Sequence, residues 1–336
     1  MFRLSPAAVK PGGSAVFYLG LYLAGLAAVV FAVISFMRPR LSNRTKAALE
    51  PYLFMLPVFL LLALLFGYPL IRSTIMAFQN YNLGDPKNIR FNGLDNIQKL
   101  FADKDIGLVM RNSFVYVIVA VAGQFLFGLT LALALRKNFP LRGFYQAVVF
   151  LPWAFSSFVI GIMFRWSFNG EYGVINDILY RLELISESIA WLGTPGLSLL
   201  VVIFAMIWMG VPFFAIMILA ALQSIPVNTF EAAEVDGCGP IRKFFFITLP
   251  YIKPTVIVTI LLRTIWIFNS FDMIVVITGG GPASTSQTLP SYMYTRAFAG
   301  YDFGLAAAMG LLLMVILAVY ASVFLRVTTY NKAGDF

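Results

Sequence analysis

Seven apolar runs dominate this chain, at about residues 15–37, 52–75, 112–135, 145–168, 197–222, 254–277 and 304–327. Each reaches the roughly 20 residues that a helix needs to cross a hydrocarbon core. Inside hydrocarbon the backbone finds no water, so every N–H and C=O must pair within its own segment. Runs of this length therefore specify helices, and the chain reads as an all-α polytopic membrane protein. Only 12% of its residues are charged, about half the share usual in soluble domains. The single cysteine, Cys238, and the lack of histidine exclude an internal disulfide and any site built on several thiolates or imidazoles. The net charge of +9 requires no nucleic acid, because lysine and arginine gather in cytoplasmic loops.

Those basic residues also orient the spans. Arg38, Arg40, Arg44 and Lys46 follow the first run, and only Arg3 and Lys10 precede it. It is too long for a signal peptide and reads as an uncleaved helix that starts outside. The chain thus divides into 1–50, an extra N-terminal helix with a basic cytoplasmic linker, and 51–336, the main membrane domain. Pro57 and Pro69 are expected to bend the second run. The short loop RKNFPLR, 136–142, is cytoplasmic. The external segment 80–111 carries five basic residues and four aspartates, so the shorter loops decide the orientation. Within it FNGLDNIQKLF, 91–101, has helical apolar spacing and suggests an amphipathic helix on the membrane surface. Thr278-Gly-Gly-Gly-Pro282 breaks the chain on the external side, and the last run returns the C-terminus to the inside.

The longest polar interruption among the later runs is EAAEVDGCGPIRKFFFITLP, 231–250. Residues 231–234 open a helix. Gly237 supplies the freedom for a sharp turn, and Pro240 suits the first position of a second short helix. Leu249-Pro250 closes the loop and leads into the next run. The pattern EAA, three residues, Gly237, nine residues, Ile247-x-Leu249-Pro250 resembles the signature loop of permease subunits of ABC importers. That resemblance implies a six-helix type I permease core preceded by one extra helix, in a bacterial or archaeal inner membrane. It makes 223–252 a cytoplasmic coupling loop seated in a groove of an ATPase subunit. The coupling residues would be Glu231, Ala232, Ala233, Glu234, Asp236, Gly237, Ile247, Leu249 and Pro250. For each charge here, including Arg242 and Lys243, plain solvation of a loop remains an alternative. Cys238 reads as a stand-in for alanine. The resemblance further implies a second homologous permease, two ABC ATPase subunits and an extracytoplasmic solute-binding protein. The chain holds no G-x-x-x-x-G-K-S/T phosphate loop, so ATP and its Mg are expected on the ATPase partners. No catalytic or metal-binding residue is expected in this chain.

Polar residues at mid-membrane depth mark a solute path. In FNSFD, Asn269 and Asp272 stand three apart, on one face of a helix, beside Phe268. This resembles a maltose-type permease pattern in which a phenylalanine and two polar residues touch the sugar. LPWAFSSF, 151–158, resembles the family's LPYAxPSF and points to Trp153 and Ser157, four apart and so on one face. IWMGVP, 207–212, resembles IWLGYP and points to Met209 and Gly210. Amides and carboxylates suit sugar hydroxyls, and an aromatic face suits the C–H surface of the ring. The segment FRWSFNGEYGVIN, 164–176, also resembles carbohydrate permeases of the maltose and glycerol-phosphate branch. The chain departs from the maltose pattern at Trp153, Met206 and Asp272, which puts maltose itself in doubt. Helix-to-helix bonding by Asn269 and Asp272, packing by Trp153 and close helix approach at Gly210 are alternative uses. Arg263, nine residues before Asp272 and out of phase with it, receives no function. The expectation is half of the translocation path for a sugar or oligosaccharide. Glycerol phosphate or another small polar solute is the alternative substrate. An ion-coupled secondary transporter would leave the polar loop unexplained and lacks evident paired repeats. A sensor that docks an ATPase without transport is a further rival.

Overall fold

The computed structural model describes residues 43–328, so the first apolar run and the C-terminal tail lie outside the described residues. The chain divides between Ser73 and Thr74 into two units. The first holds α1 (Asn43–Leu62) and a wide helical turn at Ala63–Gly67. Helix α2 (Tyr68–Met76) carries the chain across the division. The Tyr68 N–H reaches back to the Ala63 carbonyl. Such a widened turn is a usual response to a proline, and Pro69 follows directly.

In the second unit, β1 (Gln79–Asn80) pairs antiparallel with β2 (Arg90–Phe91). Next come α3 (Asp95–Ala102), α4 (Ile106–Arg136), α5 (Arg142–Ala154), α6 (Ser157–Ser167) and α7 (Val174–Arg181). Then follow α8 (Leu197–Gln223), α9 (Val227–Val235), α10 (Pro240–Lys243) and α11 (Leu249–Asn269). The chain closes with α12 (Asp272–Ile277), α13 (Leu289–Phe298) and α14 (Phe303–Val327). Five helical runs among the described residues are long and apolar enough to cross a membrane, and the pair α5 and α6 supplies a sixth span bent by 92°. This is the expected six-helix core.

The centre of the unit is α4 packed along α8, with α11 against both. Tyr116, Ala120 and Ala132 of α4 and Val202, Phe214 and Ile218 of α8 are fully buried or nearly so. Gly128 lets the two backbones close, since a Cβ there would strike Phe214. Helix α3 differs from its sequence reading. One of its faces is taken up by the protein, because α3 packs on α14 and buries Asn96 and Leu100. The Asn96 Nδ2 donates to the carbonyls of Ala77 at 3.0 Å and Gln79 at 2.8 Å.

Two apolar runs that read as single helices are broken. The run at 145–168 stops at Ala154 and restarts at Ser157, where Ser156 caps α6 by accepting from the Val159 N–H at 3.3 Å. The run at 254–277 stops at Asn269 and restarts at Asp272. The outer halves α6 and α12 pack on each other, with Gly161 giving way to Val276.

Candidate functional site

The segment 223–252 folds into a two-armed knob. Helix α9 ends in a glycine-type cap. The Cys238 N–H donates to the Ala233 carbonyl at 2.8 Å and the Gly237 N–H to the Glu234 carbonyl at 3.0 Å, with Gly237 at φ +70°. This double bond pattern needs a left-handed residue, which glycine adopts without steric cost. Pro240 then starts α10. A 2.6 Å ion pair from Lys243 Nζ to Glu234 Oε1 ties one arm to the other. The Lys243 hydrogen bond first, and then its charge, hold the Glu234 carboxyl below its ordinary value. The Arg136 guanidinium, at the end of α4, lies 4.1 Å from the centre of the Phe230 ring and braces the knob from the side. Ala233 is buried, whereas Glu231, Ala232, Glu234, Asp236 and Gly237 are exposed. Val235, Ile241 and Phe246 are exposed too, at 89%, 74% and 73%. The knob therefore presents apolar as well as acidic groups. Ile247, Leu249 and Pro250 are half-buried. They do not close a loop. A wide turn at Phe244–Thr248 joins α10 to α11, and the helical run is continuous over 30 residues from Pro240 to Asn269.

The intramembrane candidates gather at the two breaks. Trp153 precedes the first break and Ser157 follows it, so they do not share a face of one helix. Asn269 ends α11 and Asp272 begins α12, which removes the common face expected for them. Between them, Ser270 Oγ donates to the Ile267 carbonyl at 2.8 Å and lies 3.2 Å from the Tyr116 hydroxyl. Asn269 is exposed on the same side as Leu262 and Trp266. Trp153 and Trp266, each 48% exposed, flank Phe213 at ring-centre distances of 5.8 and 5.3 Å. The result is an open aromatic wall with an amide at its end. Phe268 points away from this wall. It is buried against Phe114, with ring centres 5.6 Å apart. Met209 is half-buried and Gly210 buried.

Gly210 faces a buried polar cluster. A Cβ there would collide with the Gln124 amide. The Gln124 Nε2 donates to the Met206 carbonyl at 2.7 Å, and the Gln124 Oε1 accepts from Arg263 Nε at 2.7 Å. The Arg263 guanidinium also lies 5.8 Å from the centre of the Phe213 ring, and it forms no ion pair among the described residues. One amide thus joins α4, α8 and α11 immediately behind the aromatic wall.

At the outer end, Asp103 receives the Tyr292 hydroxyl and Arg296 Nη2, both at 2.7 Å on Oδ2. Burial alone would raise the Asp103 pKa. The Asp105 N–H, Tyr292 and Arg296 outweigh it and hold the carboxyl below its ordinary value.

With this geometry in hand, comparison with known proteins decides the family. The model of the binding-protein-dependent transport system inner membrane component family matches residues 124–329, from Gln124 through both breaks and the knob. The chain belongs to that family. This permease is 34% identical over 275 residues to the sulfoquinovosyl glycerol transport system permease protein SmoG of Agrobacterium fabrum, covering 82% of this chain and 89% of SmoG. It is 31% identical to the diacetylchitobiose uptake system permease protein DasB of Streptomyces coelicolor, over 89% of this chain and 92% of DasB. It is 33% identical to the trehalose/maltose transport system permease protein MalF of Thermococcus litoralis, over 72% and 81% of the two chains. In fold it is similar to a chain in the crystal structure of a bacterial ABC transporter that imports the acidic polysaccharide alginate. The TM-score is 0.75 at 23% identity, covering 85% of the permease and 99% of that chain.

Sequence reasoning missed Gln124, Trp266 and Tyr116 in this permease. Gln124 is a lone amide in a long apolar run, and that oddity was the available signal. Trp266 looks like ordinary packing until its neighbours Phe213 and Trp153, distant in sequence, are seen beside it.

Proposed function

We propose that this permease forms half of the path by which an ATP-driven importer carries a sugar or oligosaccharide across the inner membrane. A second permease completes the path, and an extracytoplasmic binding protein delivers the solute. Two separate ATPase subunits hold ATP and Mg and dock on the knob, and the permease itself catalyses no reaction. One observation carries this reading. The continuous helical run from Pro240 to Asn269 spans about 45 Å, with the knob at one end and the aromatic wall with Asn269 at the other. Displacing α10 moves a stiff rod whose far end bears the solute wall, so work done on the knob reaches the solute without passing through a flexible joint. The wall suits a sugar, whose C–H faces pack on Trp153 and Trp266 and whose hydroxyls bond to Asn269, Ser157 and Asp272. The substrates named for SmoG, DasB and MalF support that class.

The test is uptake of labelled sugar into vesicles that hold the whole complex. Uptake must require internal ATP and must stop in Gly237→Val while the complex stays assembled. Uptake driven by an ion gradient without ATP would overturn the reading.

A further inference from the structure

A second feature of the cytoplasmic side adjoins the knob and shares Pro240 and Ile241 with it. A cleft of about 850 Å³ opens between the end of α4 and the root of the knob. Leu133, Phe230, Phe244 and Phe245 make its apolar floor, and Arg136, Lys137 and Lys243 ring it. Among the described residues no carboxylate lines it. Two of the cations are already engaged, Arg136 on the Phe230 ring and Lys243 with Glu234. Lys137 is exposed and forms no ion pair among the described residues.

The depth of the cleft selects its occupant. Arg136 is the last residue of a 31-residue apolar helix, and Thr248, also on the lining, lies just before α11. The cleft therefore sits where two spans leave the hydrocarbon, at the level of the lipid headgroups. An apolar floor beneath a cationic rim at that level matches one amphiphile, an acyl chain carrying a negative headgroup. An acidic peptide would match the rim and waste the phenylalanine floor.

We propose that this cleft binds an anionic phospholipid of the cytoplasmic leaflet. Its phosphate lies on Lys137 and Arg136, and its chain lies on Leu133, Phe244 and Phe245. Seated there, the lipid fills the space between the root of the knob and the end of α4, so that α4 moves together with the rod formed by α10 and α11. The proposal rests on the cytoplasmic placement of the knob, not on the identity of the solute.

The experiment uses the complete transporter in nanodiscs of phosphatidylcholine with or without phosphatidylglycerol. Retained lipid is read by native mass spectrometry, and ATP turnover is measured with loaded binding protein. Wild type is expected to keep phosphatidylglycerol and to turn over faster with it. Lys137→Glu is expected to lower retention about fivefold or more, as reversal of one interfacial charge implies, and to abolish the lipid response. Lys137→Arg restores both. Two results overturn the proposal: unchanged retention in Lys137→Glu, or loss of the ATPase subunits from that variant in both lipids. The second would assign the cleft to protein docking and leave ATP-driven transport standing.

Discussion

The knob and the Gln124–Arg263 cluster are both polar features in an apolar chain, and opposite physics holds them. The knob is local. Its cap bonds span at most five residues and its ion pair nine, and water covers most of it. The cluster is remote in sequence, joining Arg263 to a partner 139 residues away, and its polar groups are buried. Water can replace a lost bond in the knob. Nothing replaces one in the cluster, where a stranded donor keeps its whole desolvation cost. Damage to the knob should therefore cost function and spare the fold, and damage to the cluster should cost the fold first.

The largest expected effect tests the second half of that contrast. Gln124→Leu removes the acceptor of Arg263 Nε and should destabilise the permease by about 3 kcal/mol, the upper end of the cost of leaving a buried donor unsatisfied, because this donor is charged. The double variant Gln124→Leu/Arg263→Met should recover most of that loss, because both polar groups then vanish together. Thermal unfolding of the purified complex measures each. If the single and double variants melt alike, the cluster carries no special energy and the contrast fails.

Next in size is Gly237→Val. A β-branched residue at φ +70° costs roughly 1–3 kcal/mol in local strain. The strain falls on an exposed turn, so the unfolding temperature of the membrane core should stay near wild type while coupled uptake disappears. A drop in melting as deep as that of Gln124→Leu would show that the knob and core form one cooperative unit.

The aromatic wall lies between these extremes, backed by the cluster and open on its other side. Trp266→Ala should raise the apparent Km for sugar uptake about tenfold, from the loss of roughly 1–1.5 kcal/mol of ring contact. Trp266→Phe should retain most of the affinity. Because Trp266 is half-exposed, stability should change little. An unaltered Km would remove the residue from the solute path.

The same contrast explains what could be read from the chain alone. Gly237, Pro240 and Lys243 act on near neighbours, so a short stretch of sequence contains the knob almost whole. What it did not contain is the continuity of α10 with α11. Leu249-Pro250 resembles a loop end, yet the wide turn at Phe244–Thr248 accommodates Pro250 as the turn at Ala63–Gly67 accommodates Pro69, and the helix runs on. The six spans were legible as apolar runs, but the two breaks were not, because hydrophobicity continues across Phe155–Ser156 and Ser270–Phe271. Pro152 and the capping Ser156 were visible signals for the first break. The second is held by Tyr116, which approaches from another helix. Residue types at Asn269, Asp272, Trp153 and Ser157 pointed to both breaks, while the assumption of shared helical faces failed because no single helix runs through either pair.

The smallest effect concerns pH, and it separates exposed from part-buried ion pairs. Glu234 and Asp103 are both held below their ordinary carboxyl values. A carboxyl lowered in the folded state stabilises the fold at pH above its unfolded value, and that contribution disappears as pH falls through the folded value. Neither pair should therefore respond between about pH 5 and 7, where both carboxylates are already ionised. Below the ordinary carboxyl range the two diverge. Glu234 is exposed, and its tie to Lys243 should loosen without moving the melting curve. The Asp103 side chain is 10% exposed and receives both Tyr292 and Arg296. Its protonation should release α13 from the start of α4, at a cost below about 1 kcal/mol because Arg296 is open to screening. Hydrogen exchange of 289–298 in acid, in wild type and in Asp103→Asn, measures that release. The variant should already show at neutral pH the faster exchange that wild type reaches only in acid. Equal protection of this helix in both proteins at neutral pH would mean that apolar packing on α14 alone holds it.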